Sequence, residues 1–98
     1  MKPFRIRLTP EAGRLIYKLH PENKKLIKVS LKELRKNPHL GDELQEELFG
    51  FRSYKPKRYR IIYKIDEDER AVLVYHVDHR RDIYERFKSL LNKLASQQ

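Results

Sequence analysis

Between Lys57 and Ile65 the side chains alternate in kind, with Tyr59, Ile61, Tyr63 and Ile65 on one side and Arg58, Arg60, Ile62 and Lys64 on the other. A repeat of two fits an extended strand, whose successive side chains point to opposite faces, and does not fit a helix of about 3.6 residues per turn. One face of this strand is made for a core and the other is chiefly cationic. Asp66-Glu67-Asp68-Glu69 follows as a polar turn, and Arg70 to Val77 is rich in valine and aromatics. The two runs therefore read as a hairpin. Phe51 to Lys55 is a shorter strand just before it, and Lys2 to Leu8 alternates again, with Phe4, Ile6 and Leu8 opposite Arg5 and Arg7.

Helical signals occupy the rest of the chain. Thr9-Pro10-Glu11 combines a hydroxyl N-cap, a proline at the first helical position and an acid in the first turn, with Leu15, Ile16 and Leu19 as the apolar stripe. A second helix begins at Pro21, carries Leu26, Ile27, Leu31 and Leu34, and ends at Asn37-Pro38, because the residue before proline is pushed out of helical geometry. So short a connection predicts an antiparallel helical hairpin. His39 to Gly50 reads as a loop with an acidic cluster, Asp42, Glu43, Glu46 and Glu47. A last amphipathic helix starts near Asp78 or Arg80 and carries Ile83, Phe87, Leu90, Leu91 and Leu94. The order β-α-α-β-β-β-α predicts a single α+β domain over residues 1–98, its helical hairpin packed on one face of a mainly antiparallel sheet. The opposite face is then only partly covered, with Arg58 and Arg60 projecting from it.

Several function classes are excluded at once. The chain has no cysteine, which removes disulfides, thiolate zinc sites and thiol nucleophiles. Three glycines in all cannot form a phosphate-cradling glycine loop. No apolar run spans a membrane, and the first residues carry Lys2, Arg5 and Arg7 in place of a signal peptide's apolar stretch, so a soluble, cytoplasmic protein is expected. Twenty-three lysines and arginines against fourteen acids leave a charge of +9. Such a field on so small a body favours a polyanionic partner.

The charge is concentrated. Arg52, Lys55, Lys57, Arg58, Arg60 and Lys64 lie in one tract with no acid, interleaved with Tyr54, Tyr59 and Tyr63. Cations neutralise phosphates and aromatic faces stack on unpaired bases, which suits a single-stranded nucleic acid. The tyrosines that share the Ile61 face are expected to pack in the core instead. A second concentration is Val77-Asp78-His79-Arg80-Arg81-Asp82-Ile83-Tyr84. Histidine titrates near neutrality, arginines grip a phosphoryl group in a fork, and a tyrosine hydroxyl can exchange a proton. In a purely structural reading of the same stretch, Asp78 caps the helix, Arg80 and Arg81 pair with Asp82 or Glu85, and Tyr84 packs. A metal site built from His76, Asp78, His79 and Asp82 is disfavoured, since residues three apart on a strand point to opposite faces.

The tract Gly50 to Ile65, with Arg58-Tyr59-Arg60-Ile61-Ile62-Tyr63 at its centre, followed by an acidic turn, a hydrophobic strand and His79-Arg80-Arg81-Asp82-Ile83-Tyr84, resembles the RelE/ParE superfamily of toxins from toxin–antitoxin pairs. The resemblance covers the whole chain. It implies a microbial RNase-like fold and a metal-independent endoribonuclease that cleaves mRNA in the decoding site of the ribosome, without a cofactor. It also implies a cognate antitoxin that silences the toxin, and a toxin that is monomeric when free. By position, Arg60 corresponds to the central-strand arginine at the scissile phosphate, Arg80 to the arginine after the last strand, and Tyr84 to the closing-helix tyrosine. His79 falls where several members have a histidine. Lys55 and Lys57 stand near the family's paired lysines, although Pro56 breaks the alignment. The catalytic set implied is thus Lys55, Arg60, His79, Arg80 and Tyr84, with Arg52, Lys57, Arg58 and Arg81 as nucleic-acid contacts. ParE-type members share the fold, inhibit DNA gyrase and tend to lack the catalytic set, so retention of these residues favours the nuclease branch. A non-catalytic nucleic-acid-binding module is the third reading.

Overall fold

The computed structural model describes residues 3–79 and 83–96, the last three of these by backbone alone. A strand β1 (Arg5–Leu8) leads into helices α1 (Pro10–Tyr17) and α2 (Pro21–Lys36). Strands β2 (Asp42–Glu43), β3 (Arg52–Tyr54), β4 (Tyr59–Asp66) and β5 (Ala71–His79) follow, and α3 (Ile83–Ser96) closes the chain. The sheet order is β1-β5-β4-β3-β2, with β1 parallel to β5 and every other pairing antiparallel. The α+β architecture and the mainly antiparallel sheet agree with the sequence reading.

Local chemistry accounts for the helix starts. Thr9 accepts a hydrogen bond from the Ala12 amide at 3.1 Å, and Pro10 occupies the first helical position of α1. α2 also begins on a proline, but His20 before it makes no capping bond. The end of α2 is fixed by Asn37, whose side chain accepts from the His39 amide at 3.1 Å and caps a short turn over Pro38–Leu40.

Two cores lie on opposite sides of the sheet. Under α1 and α2 the core gathers Phe4, Ala12, Ile27, Leu34, Tyr59, Ile61, Tyr63, Val72, Val74 and Val77. Under α3 a smaller one gathers Leu48, Phe51, Ile62, Ile83 and Phe87. Ile62, which the alternation put on the cationic side, is fully buried there, so the second face is covered more completely than the sequence reading allowed.

Three boundaries differ from expectation. Lys57 and Arg58 belong to a turn, with Lys57 at φ 55°, and β4 begins only at Tyr59. β5 continues through Asp78 to His79, so Asp78 is a strand residue and not a helix cap. The expected loop over residues 39–50 contains β2, a two-residue strand that pairs with β3.

β5 also carries a bulge. Tyr63 pairs with Val74 while its neighbour Ile62 pairs with His76, which leaves Tyr75 as the extra residue. The parity of the strand inverts there. Val72 and Val74 face the hairpin before the bulge, and Val77 faces it afterwards.

Candidate nucleic-acid and catalytic site

The inversion decides which candidate residues can meet. Arg60 pairs across the ladder with Asp78, and Tyr59 pairs with His79. Tyr59 belongs to the core under the hairpin, so Arg60, one residue on, projects to the α3 side with Ile62. His79 shares the face of Tyr59, with ring centroids 5.4 Å apart. Arg60 and His79 therefore stand on opposite faces of the sheet.

Tyr84 lies in the first turn of α3, where its hydroxyl is 3.0 Å from the hydroxyl of Ser53. Ser53 is buried and pairs with Ile62, two residues along β4 from Arg60. Diagonal neighbours of this kind are roughly 7–8 Å apart, within reach of long side chains. Lys55 follows Tyr54, the last residue of β3, whose ladder partner is Ile61. Lys55 also reaches Asp42, with Nζ to Oδ2 at 3.7 Å. The structure thus sets Arg60 and Tyr84 on the α3 face and His79 on the other, with Lys55 just past β3 and near Asp42. Arg80 and Arg81 lie outside the described residues.

Arg60 is half-buried and held by backbone. Its Nη1 donates to the Tyr59 carbonyl at 2.9 Å and to the Lys57 carbonyl at 3.3 Å, so the turn containing Lys57 orients the guanidinium. Among the described residues the remaining donors of the fork have no other partner, which suits them to an anion. Asp78, across the ladder, accepts from the His79 amide at 2.8 Å and pairs with Arg86 of α3. Arg86 is a cation on this face that no motif in the sequence singled out.

Arg52 has a different setting. Its Nε donates to the Gly41 carbonyl at 3.2 Å, and its Nη1 lies 3.1 Å from Glu43, with the side chain only 17% exposed. Its visible work is to hold the edge strand β2. Lys57 and Arg58 are exposed in the turn before β4.

The tyrosines divide. Tyr59 and Tyr63 are core residues, as their alternation predicted, and Tyr54 is half-buried beside that core. Tyr63 donates to the Pro38 carbonyl at 2.6 Å and accepts from the Gly41 amide at 3.0 Å, and burial raises its pKa. His76, whose only sequence role was in the disfavoured metal cluster, is 6% exposed beneath α3, with its ring 5.7 Å from that of Phe87. Neither ring nitrogen finds a hydrogen-bond partner among the described residues. Burial pushes its pKa down, opposed by Asp78 and Glu11. His76 and His79 project to opposite faces, and no metal-binding cluster occurs among the described residues.

Comparison with known proteins places this arrangement. The family model described as "ParE toxin of type II toxin-antitoxin system, parDE" matches residues 6–84. The toxin RelG of Mycobacterium tuberculosis (strain ATCC 25618 / H37Rv) is 35% identical over 86 residues, covering 86% of this chain and 99% of the relative. A chain of the RelBE2 toxin–antitoxin complex from Mycobacterium tuberculosis superposes with a TM-score of 0.75 at 33% identity, covering 82% of this chain and 94% of that one. The isolated E. coli RelE toxin shares the fold, with a TM-score of 0.67 at 17% identity and coverage of 90% and 98%. The strand–hairpin–sheet–helix order and the sequence match over residues 6–84 agree, and the chain belongs to the RelE/ParE superfamily of toxins from type II toxin–antitoxin systems.

Proposed function

We propose that this toxin is an endoribonuclease that cleaves mRNA, in the decoding site of the ribosome, and so halts translation. The observation that carries the reading is the α3 face itself, where a backbone-oriented guanidinium (Arg60) and a tyrosine hydroxyl (Tyr84) share one surface, with the ammonium of Lys55 just past β3. RNA brings its own nucleophile, so no serine or cysteine is required. The 2′-hydroxyl gives up its proton and its oxygen bonds to the adjacent phosphorus. The bond from phosphorus to the 5′-oxygen then breaks, and that oxygen takes a proton. The products are a 2′,3′-cyclic phosphate and a 5′-hydroxyl.

Arg60 stabilises the extra charge of the phosphorane, because a guanidinium stays cationic and matches phosphate oxygens in pairs. Arg80 is proposed for the same role from its sequence position. Tyr84 and Lys55 carry the proton transfers. His79, also in the set the resemblance implies, gives way to them because its ring lies against Tyr59 on the far side of the sheet. Lys57, Arg58 and Arg81 track the backbone of the message, whereas Arg52 is committed to Glu43 and Gly41.

RelE-named relatives and complexes with a partner antitoxin support a cognate antitoxin for this chain as well. An acidic or amphipathic segment covering the basic β4 region, or docking beside α3, would silence the site.

A second reading is inhibition of DNA gyrase without RNA cleavage, and one observation favours it: the matching family model is the ParE one. Ribosomes programmed with a short message separate the two. Discrete new 3′ ends after addition of the toxin support the nuclease. Intact message, together with gyrase-dependent breaks in DNA, supports the alternative.

A further inference from the structure

The outward side of α2 carries a row of lysines that the candidate site does not use. Lys25, Lys28, Lys32 and Lys36 are all exposed, while Ile27, Ser30 and Leu34 of the same helix are buried against the sheet. At about 1.5 Å per residue the row runs roughly 16 Å along one face. Among the described residues none of the four enters an ion pair. Val29 is the one apolar residue exposed along it, at 50%. At the N-terminal end Lys24 lies 4.9 Å over the ring of Tyr17, which is 79% exposed. The sheet separates this row from Arg60 and Tyr84, because α2 packs on the core that holds Ile61 and α3 packs on the one that holds Ile62.

We propose that the α2 lysine row is a second, non-catalytic docking surface that binds the phosphate backbone of a double-helical nucleic acid. Like charges three and four residues apart on a helix repel, and an anionic ligand removes that penalty. Lysine is a point charge on a flexible stem, suited to phosphates and indifferent to base identity. A protein partner is a poorer fit, since interface cores are depleted in lysine and enriched in aromatics and arginine. A membrane surface is a poorer fit too, because the apolar stripe that would enter lipid is already buried in the fold. A single strand would call for a series of stacking platforms, and the aromatic at this end is Tyr17 alone. RNA and DNA duplexes share the recognised chemistry. With the row and the α3 face directed apart, one molecule can hold a folded nucleic acid while a strand occupies the other side.

The test uses the full chain with the substitutions Lys25→Ala, Lys28→Ala and Lys32→Ala combined, against the same positions changed to arginine. Binding to a labelled RNA hairpin and to a DNA duplex of matching sequence is followed by anisotropy across a salt series. Each duplex phosphate contact contributes close to −0.9 to the log–log slope, so the alanine variant should flatten it by roughly 2 to 3. The arginine variant should keep the slope of the parent, which controls for folding. Flattening with the RNA hairpin alone assigns the row to RNA, and flattening with both assigns it to duplex phosphates in general. An unchanged slope with both duplexes overturns the proposal. So does an equal loss of affinity for polyglutamate or for anionic phospholipid vesicles, which would show a general anion surface.

Discussion

The hydroxyl of Tyr84 stands 3.0 Å from the hydroxyl of Ser53, a contact that joins the first turn of α3 to β3 across the face where Arg60 emerges. The pair separates two roles that a tyrosine can play. If Tyr84 transfers a proton in the reaction, Tyr84→Phe should lower kcat by about 10²–10⁴. Ser53→Ala removes the same hydrogen bond but leaves the hydroxyl of Tyr84 in place. It should cost about 0.5–1.5 kcal/mol of stability and change kcat far less. Single-turnover cleavage of a short message, alongside urea denaturation of both variants, distinguishes these outcomes. Equal losses of kcat would make the contact itself the important feature.

Arg60 is held by the carbonyls of Lys57 and Tyr59, so its guanidinium is positioned before any substrate arrives. Arg60→Ala should cost about 2–4 kcal/mol of transition-state stabilisation, as for loss of one oxyanion donor, with the fold intact. Arg60→Lys keeps the charge and loses the fork, and should recover only part of the rate. Measured kcat/KM for the two variants checks the order. Full recovery by lysine would mean that charge alone matters.

Under the hairpin, the Tyr63 hydroxyl bonds both the Pro38 carbonyl and the Gly41 amide. Tyr63→Phe leaves two buried backbone groups unpaired, and unfolding should become easier by about 1–3 kcal/mol for each group that water cannot reach. Gly41 has no room for a larger residue, since an added Cβ would stand 2.6 Å from that hydroxyl and 2.9 Å from the Ser53 carbonyl. Gly41→Ala should therefore destabilise as well, and in combination the two should be less than additive, because both disturb one contact. A double-mutant cycle in urea reads the coupling directly.

His76 predicts a pH dependence. Burial holds its folded pKa below the usual histidine value, so the unfolded chain binds the proton more readily. The stability from a neutral His76 is then complete above about pH 6.5 and falls as the pH drops below it toward the folded pKa, at up to about 1.4 kcal/mol per pH unit. Asp78 and Glu11, which favour the proton, and Arg86, which opposes it, set the depth of the effect. His76→Phe should flatten this part of the stability profile measured by chemical denaturation at a series of pH values. A wild-type profile without a slope there would contradict the buried, neutral ring.

Much of this architecture was legible from periodicity. The alternation of Tyr59 to Ile65 identified β4 and its core face, and Thr9-Pro10-Glu11 identified the start of α1, because both signals are local. The bulge at Tyr75 was not legible, since no glycine marks it and the register belongs to two strands at once. That one residue decides that His79 looks away from Arg60. The same limit hid the depth of Ile62, whose burial depends on where α3 lands, and the ion pair of Arg52 with Glu43, which needs the edge strand β2 to form. The family resemblance supplied candidate residues by position, and the geometry then sorted them by face.

The most direct test of RNA cleavage through the 2′-hydroxyl is an otherwise identical message carrying one 2′-deoxy nucleotide at the mapped cut site. The account predicts that the all-ribose message yields 2′,3′-cyclic phosphate and 5′-hydroxyl ends, with no change on adding EDTA. The substituted message should remain bound but uncut at that position. Cleavage of the deoxy site, or activity that EDTA abolishes and metal ions restore, would contradict it.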